Sequence, residues 1–225
     1  MDISDIVSDS IKYPSSSWVK VFMLGIIIIT SFLVLPMFLI YGYILRIIKA
    51  TIAGIDELPD FDGIGEMFID GIKMFLVAII YAIPVGIIGL LVGLLTGDTA
   101  HTGISLNPAM LFAFILGYIV YIIIAMVIGL IEVIAIANMA YYDGDLGAAF
   151  RFNEILDHIA RIGWEKYIAT YIVIAIIGMI GFVIGALTLI ILIGILLIIP
   201  YLTIFGSRAI ALLFKEAIET TKPLE

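Results

Sequence analysis

The stretch ELPDFDGIGEMFIDGIKMFLVAIIYAIPVGIIGLLVGLL, residues 57–95, decides the fold of this chain. In its first half, apolar residues recur at steps of three and four, which places them on one helix face: Phe61, Ile64, Phe68, Ile72 and Phe75. The polar residues of the same segment fall on the opposite face: Asp62, Glu66, Asp70 and Lys73. Residues 74–95 are then apolar and long enough to cross a bilayer. The pattern therefore predicts an in-plane surface helix over residues 60–73 and a membrane span over residues 74–95.

The composition of the whole chain is typical of a helical membrane protein. Hydrophobic residues make up 64% of its 225 residues and charged residues 13%, whereas a soluble domain is roughly half apolar and a quarter charged. The apolar runs lack the alternation of a transmembrane barrel. A net charge of −8 without a basic stripe argues against nucleic acid as a partner. The absence of cysteine excludes disulfides, thiolate metal sites and a thiol nucleophile.

The apolar runs divide the chain into membrane spans and surface helices. We predict, in order, surface helix 2–13, span 18–50, surface helix 60–73, span 74–95, span 109–142, surface helix 145–161, span 165–185 and span 188–214. In the third surface helix the periodicity predicts two faces. The inward residues are Ala148, Phe152, Ile155, Leu156 and Ile159, and the outward residues are Arg151, Glu154, His158 and Arg161. All of these elements form a single membrane domain, with an all-α fold.

The first apolar run leaves the number of spans open. Residues 21–48 would make about 42 Å of helix, against a hydrocarbon core of about 30 Å. Pro36 fits either a kink in one tilted helix or the start of the second arm of a hairpin. The first alternative gives five spans, with the two termini on opposite sides of the membrane, and the second gives six. The spacing of the internal repeat favours five.

Two internal repeats support this division. GIIGLLVGLL at residues 86–95 is matched by GMIGFVIGAL at residues 178–187, with the same glycine spacing. LVLPMFLIYG at residues 33–42 is matched by LIIPYLTIFG at residues 197–206. We interpret these matches as a unit of surface helix, glycine-rich span and long span that occurs twice. The long span alone would occur once more near the N-terminus.

The basic residues predict the orientation in the cell membrane. Nine of the eleven Lys and Arg residues lie on one side under five spans, and all eleven under six. Both alternatives place the two main surface helices and the C-terminus in the cytoplasm. The partners expected for such a protein are membrane lipids, a second copy of the chain or another membrane protein, and not nucleic acid.

The sequence contains no motif of a known membrane enzyme. HExxH, GxGD and a serine in a small-residue elbow are all absent. Asp145 fits a helix N-cap, and neither His101 nor His158 has metal-binding partners at ligand spacing. The acidic cluster is interpreted as a solvated linker rather than a cation site: Asp56, Glu57, Asp60 and Asp62. We therefore predict no catalytic residue, no metal site and no cofactor.

The glycine-rich segments and one carboxylate are the remaining candidates. GxxxG spacing lets helices approach closely, and we predict packing within the chain in preference to a dimer face; the residues are Gly86, Gly89, Gly93, Gly178, Gly181 and Gly185. Glu132 lies about 15 Å of helix inside the interface, where an ionisable group usually faces a partner charge or a water-filled cavity. We predict an ion pair between Glu132 and Arg208, with Arg46 as the next candidate partner. The alternative is a proton or ion site.

Four segments resemble a known family: GYILR (42–46), LPDF (58–61), GEMFIDGIKMF (65–75) and AAFRFNEI (148–155). The family is the uncharacterised, mainly archaeal membrane family catalogued as domain of unknown function 4013, and its most specific motif here comprises Gly42, Tyr43, Arg46, Leu58, Pro59 and Phe61. The resemblance implies a multi-span membrane protein without an established activity. The predicted function is a non-enzymatic membrane module that contacts lipid or a partner protein; the alternative is a small transporter or channel that uses Glu132.

Overall fold

The computed structural model describes residues 1–96, 108–187 and 194–219, and these residues form helices and connecting turns without a strand. Five helices are long and apolar enough to cross a membrane, or six if the bent pair at the N-terminus counts as one span. The chain is therefore a polytopic helical membrane protein, as predicted. The helices are α1 Ile3–Lys12, α2 Trp18–Thr30, α3 Leu35–Ile52, α4 Ile64–Thr96, α5 Pro108–Tyr141, α6 Phe152–Ile162, α7 Trp164–Leu187 and α8 Ile199–Glu219.

The first long apolar run forms two helices rather than one. After α2, the chain reverses at Val34, which has a φ of 68°. Pro36 is the second residue of α3, where its fixed φ suits a helix and its missing N–H breaks no hydrogen bond. Lys20, near the start of α2, donates to the carbonyl oxygen of Leu58, which follows α3. The prediction of a single span over residues 18–50 is therefore wrong, because α2 and α3 form a hairpin whose two ends lie together.

The N-terminal helix lies across the start of this hairpin. Together with the 3-10 turn that follows it, α1 makes an angle of 85° with α2. Ile6 is buried, whereas Asp2 and Asp5 are exposed. The amino group of Met1 lies 3.4 Å from the carboxylate of Glu216, near the end of α8. The predicted placement of the two termini on opposite sides is therefore wrong.

From Ile64 onward, the segment that decides the fold is one unbroken helix. α4 continues through Lys73 into the membrane span, so a separate in-plane helix over residues 60–73 does not form. The inward face is also displaced from the predicted one, since Met67 is buried and Ile64 is 59% exposed. The physical reason is the close approach of α3. A Cβ atom built on Gly71 would lie 1.7 Å from the carbonyl oxygen of Phe38.

The third predicted surface helix, over residues 145–161, forms in two pieces. A 3-10 turn spans Leu146–Phe150 and is capped by Asp145, whose carboxylate accepts a hydrogen bond of 3.1 Å from a backbone N–H. The following helix α6 buries Ile155 and Ile159, as predicted, but it also buries His158 and leaves Phe152 51% exposed, the opposite of the prediction for these two residues. The imidazole faces inward because the ring of Phe214 in α8 packs against it, with 4.9 Å between ring centres.

The described chain divides into two compact units, Met1–Phe75 with Ile134–Glu225, and Leu76–Val133. In the first unit, α2 crosses the chain just before α8 so closely that a Cβ on Gly25 would lie 2.2 Å from a backbone oxygen of Leu196. The second unit consists of the facing parts of α4 and α5. They are antiparallel, because Gly89 faces Tyr121 and Gly117 faces Val92.

The internal repeat is more complete than the sequence indicated. Pro36 and Pro200 are each the second residue of a helix, α3 and α8. Each of these helices follows an antiparallel partner, α2 or α7, and a short helix before it, α1 or α6. The unit α1–α2–α3 therefore corresponds to α6–α7–α8. The N-terminal copy contains all three helices rather than the long span alone.

Only half of the predicted packing glycines lie at a close helix contact. A Cβ on Gly181 would lie 2.5 Å from the side chain of Leu202, and Cβ atoms on Gly89 and Gly185 would lie 3.1 and 3.5 Å from their nearest neighbours. These contacts are formed within each hairpin. At the other three positions an added Cβ would meet no heavy atom within 4 Å: Gly86, Gly93 and Gly178. The first residues of the predicted span 188–214, residues 188–193, lie outside the described residues.

Candidate functional site

The first unit carries a charged layer, which we define as its ion-paired Lys and Arg residues and the Asp and Glu residues that pair with them. These residues are Asp9, Lys20, Arg46, Lys49, Asp56, Asp60, Asp62, Asp70, Lys73, Asp143, Asp145, Arg151, Glu154, Lys166, Arg208, Lys215, Glu216 and Glu219. In four of these pairs the cation is at most 23% exposed while the carboxylate is at least 76% exposed. Asp70 is an exception, since it is 15% exposed and bridges Lys49 and Lys73. The exposed fractions of the four cation and carboxylate side chains are 23% and 76% for Lys20–Asp60, 16% and 85% for Arg46–Asp62, 23% and 98% for Lys49–Asp143, and 3% and 83% for Arg208–Asp56.

Arg208 is the most buried cation of the layer and joins three segments of the chain. Its guanidinium donates to Asp9 of α1 at 2.8 Å, to Asp56 at 2.6 Å and to the carbonyl oxygen of Ile55 at 3.0 Å. It also lies 4.3 Å from the centre of the Tyr13 ring. The carboxylates that bind Arg208 are therefore these two aspartates, and the prediction that it pairs with Glu132 is wrong.

Arg46 holds the loop that connects α3 to α4. Its guanidinium donates to the carbonyl oxygens of Asp60, Asp62 and Gly63 at 3.1, 2.7 and 3.1 Å. A further bond of 3.1 Å reaches the carboxylate of Asp62. Arg46 is thus committed to this loop, and the prediction that it could serve as a partner of Glu132 is also wrong.

The other residues of the family-like motif also hold the loop between α3 and α4, and we call the motif residues and this loop the clasp. The hydroxyl of Tyr43 donates to the carbonyl oxygen of Pro59 at 3.1 Å, and its ring stacks on Phe61 with 4.1 Å between ring centres. Leu58 is buried beneath the loop. A Cβ on Gly42 would lie 1.8 Å from the carbonyl oxygen of Met67, so α3 and α4 touch at this point. The motif therefore fixes one loop and one helix contact, and its spacing reflects the length of that connection.

A cavity of about 510 Å³ lies beside the clasp. Its charged lining consists of three cations and three carboxylates: Lys20, Arg46, Lys49, Glu57, Asp60 and Asp62. Because the charges balance, the cavity has no strong preference for an anion or a cation. Three residues of the predicted acidic cluster are accordingly divided among separate ion pairs: Asp56, Asp60 and Asp62. No group of three or more His, Asp and Glu residues suited to a metal ion occurs within the described ranges.

His158 is a titratable residue whose burial the sequence did not reveal. Its Nε2 lies 3.8 Å from the carboxylate of Glu154, which also accepts a hydrogen bond of 2.7 Å from the hydroxyl of Tyr142. Burial lowers the pKa of His158 below its ordinary value, and the carboxylate offsets part of this effect. This shift favours the neutral form of the imidazole. The other histidine of the sequence, His101, lies outside the described residues.

Glu132 lies in the second unit, beside a cavity of about 380 Å³ between α4 and α5. The ion pairs formed within residues 1–96, 108–187 and 194–219 do not include it. The cavity exists because four small residues on the two facing helices leave space: Ala82, Gly86, Ala125 and Gly129. Its remaining lining residues are Tyr81, Val85, Tyr121 and Ile128.

Comparison with known proteins gives one match. The family model described as Protein of unknown function (DUF4013) matches residues 23–190. This range includes the clasp between α3 and α4 and also Glu132, whereas Arg208 lies beyond it. No curated protein and no solved structure matches the chain.

Proposed function

Because this chain belongs to the DUF4013 family of proteins of unknown function, we propose its role from its own geometry. It is a non-enzymatic integral membrane module, and its charged layer docks a basic segment of a partner protein. The non-enzymatic part of the proposal is supported by the sequence, which contains no motif of a known membrane enzyme.

The observation that carries the proposal is the orientation of the ion pairs. The cations of the four asymmetric pairs are covered, and their carboxylates face outward. The chain as a whole has 19 Asp and Glu residues against 11 Lys and Arg residues. A surface whose outer charges are carboxylates repels anionic lipid headgroups and attracts Lys- and Arg-rich segments. Charge therefore favours a basic protein segment over anionic lipid.

We place the charged layer on the cytoplasmic side of the cell membrane. Residues 76–133, which form the second unit, contain no Lys or Arg, so all of the basic residues belong to the first unit. Basic residues accumulate on the cytoplasmic side of membrane proteins. Both termini of the described chain then lie in the cytoplasm, because Met1 contacts Glu216.

This orientation predicts the outcome of cysteine labelling in a chain that has no cysteine of its own. Single cysteines at Ser4 and Glu66, both exposed, are expected to resist a membrane-impermeant maleimide in intact cells. The same positions should react after the membrane is permeabilised, which controls for accessibility. Labelling of either position in intact cells would contradict the cytoplasmic placement.

The docking proposal predicts salt-sensitive binding of a basic peptide. The probe is fluorescent octalysine, and the protein is held in nanodiscs of phosphatidylcholine. Three outward carboxylates of the charged layer, which are 76%, 85% and 98% exposed, are neutralised together: Asp60→Asn, Asp62→Asn and Asp143→Asn. We expect the triple variant to bind about tenfold more weakly at low ionic strength, with less difference at high salt. Fluorescence anisotropy measures the affinity.

Glu132→Gln is the matched control, since it removes a carboxylate from the second unit and should leave octalysine binding unchanged. Equal affinity of the triple variant and the unmodified protein would contradict the proposal. Preferential binding of phosphatidylglycerol vesicles over octalysine would also contradict it and would favour a lipid partner.

A second candidate function is a small transporter or channel, and the cavity beside Glu132 favours it. About 14 Å of helix separates Glu132 from Tyr141 at the end of α5. This distance is close to half of a hydrocarbon core of about 30 Å. Ionisable residues at such depth line substrate and ion pathways in many membrane proteins.

A further inference from the structure

We propose that the cavity beside Glu132 is a binding site for a lipophilic organic cation, such as a hydrophobic amine, ammonium or phosphonium ion. The inference deepens the second candidate function, because it names the class of ligand for the same site. It requires binding only, and transport is a separate question.

The shape of the cavity is set by small residues in register on two antiparallel helices. Ala82 and Gly86 are one turn apart on α4, and Ala125 and Gly129 are one turn apart on α5, so each pair lies on one helix face. A Cβ on Gly86 or Gly129 would meet no heavy atom within 4 Å. The resulting volume of about 380 Å³ lies in the range of small-molecule sites.

The chemistry of the lining selects the charge of the ligand. Glu132 supplies a carboxylate, which would repel an anion and attract a cation strongly in a medium of low dielectric constant. Tyr81 and Tyr121 add aromatic rings, which interact favourably with organic cations. No Lys or Arg occurs in residues 76–133, so the second unit provides no countercharge of its own.

The same lining argues against an inorganic cation. Calcium takes six to eight oxygen ligands and magnesium requires an octahedral set. The side chains around the cavity offer the Glu132 carboxylate and two phenolic hydroxyls, and the other lining residues are apolar or glycine. An ion with an apolar body and a single charge therefore fits the cavity better than a hydrated metal ion.

Binding of tetraphenylphosphonium tests this inference, with the full chain in phosphatidylcholine nanodiscs. We expect saturable binding of tetraphenylphosphonium and none of tetraphenylborate, which has the same shape and the opposite charge. Glu132→Gln should weaken binding at least about tenfold, as expected for loss of a charge partner at a desolvated site. Gly129→Leu keeps the carboxylate but fills the cavity, and it should weaken binding to a similar degree. Equilibrium dialysis measures all four affinities.

Glu66→Gln is the control variant, because its carboxylate is exposed in the first unit and its loss should leave binding unchanged. Equal affinity of Glu132→Gln and the unmodified protein would overturn the inference, as would saturable binding of tetraphenylborate. Unchanged binding by Gly129→Leu would place the site elsewhere and would also overturn it. Saturable binding without flux of tetraphenylphosphonium into liposomes would support the inference while contradicting the transporter function. The octalysine result is independent of all these outcomes.

Discussion

Replacing Gly71 by alanine is expected to cost about 3 kcal/mol of unfolding free energy, although alanine is the better helix former. In the middle of an exposed helix the same change would stabilise by about 1 kcal/mol. At Gly71, however, the new methyl group would lie 1.7 Å from the carbonyl oxygen of Phe38 and 3.1 Å from the backbone nitrogen of Gly42. Both neighbours are backbone atoms of α3, so no side chain can move away. The two helices must separate, which removes the contacts that their close approach allows.

Gly65→Ala is the matched control for this prediction. Gly65 lies in the same helix, and an added Cβ there would meet no heavy atom within 4 Å. We expect this variant to be as stable as the unmodified protein or slightly more stable. Unfolding in SDS, followed by circular dichroism, measures both variants. If Gly71→Ala is as stable as Gly65→Ala, the close contact between α3 and α4 is not present in the folded protein.

The tightest helix contacts were not the ones that the sequence indicated. The glycine repeats drew attention to residues 86–93 and 178–185, whereas the closest backbone approaches occur at Gly25, Gly42 and Gly71. A glycine spacing identifies a helix face that can approach another helix. It does not identify the helix that approaches it, because that depends on contacts between distant parts of the chain.

Local pattern predicted the existence of the helices better than their limits. The class and the apolar runs were correct, because composition and length determine them. The prediction of one span over residues 18–50 was wrong, since Pro36 is compatible with both a kink and a new helix start. The contact that distinguishes the two, between Lys20 and Leu58, spans 38 residues of sequence. In α4 the periodicity identified a helix, but nothing at Lys73 interrupts it, so the amphipathic and apolar parts are continuous.

Sequence separation also explains which contacts of the candidate sites could not be predicted. The motif residues of α3 and of the following loop converge, although the sequence identified them only through the family resemblance. The partners of Arg208 could not be inferred, because Asp9 and Asp56 lie 199 and 152 residues away. The depth of Arg208 along its helix suggested Glu132 as its partner. The position of the Arg208 guanidinium is instead determined by hydrogen bonds to the N-terminal helix and to the loop after α3.

Neutralising the two carboxylates that bind Arg208 is expected to destabilise the protein more than removing Arg208 itself. In the double variant Asp9→Asn with Asp56→Asn, the guanidinium keeps its place, only 3% exposed, without a countercharge. Loss of one partner of a buried ion pair costs about 3–5 kcal/mol. In Arg208→Met, by contrast, the two aspartates that remain are 40% and 83% exposed, and water can hydrate them. That variant should lose about 1–3 kcal/mol, mainly from hydrogen bonds.

Unfolding in SDS, followed by circular dichroism, measures which of the two variants is less stable. Asp143→Asn is the control variant. Asp143 is 98% exposed, and its partner Lys49 keeps a second carboxylate, Asp70. Removal of such an exposed pair should cost no more than about 1 kcal/mol. A larger loss for Arg208→Met than for the double variant would contradict the explanation, because it would mean that hydrogen bonds outweigh the burial of an unpaired charge. The expected order follows from the burial of this group: the guanidinium of Arg208 is covered by the chain, and its two carboxylate partners are open to water.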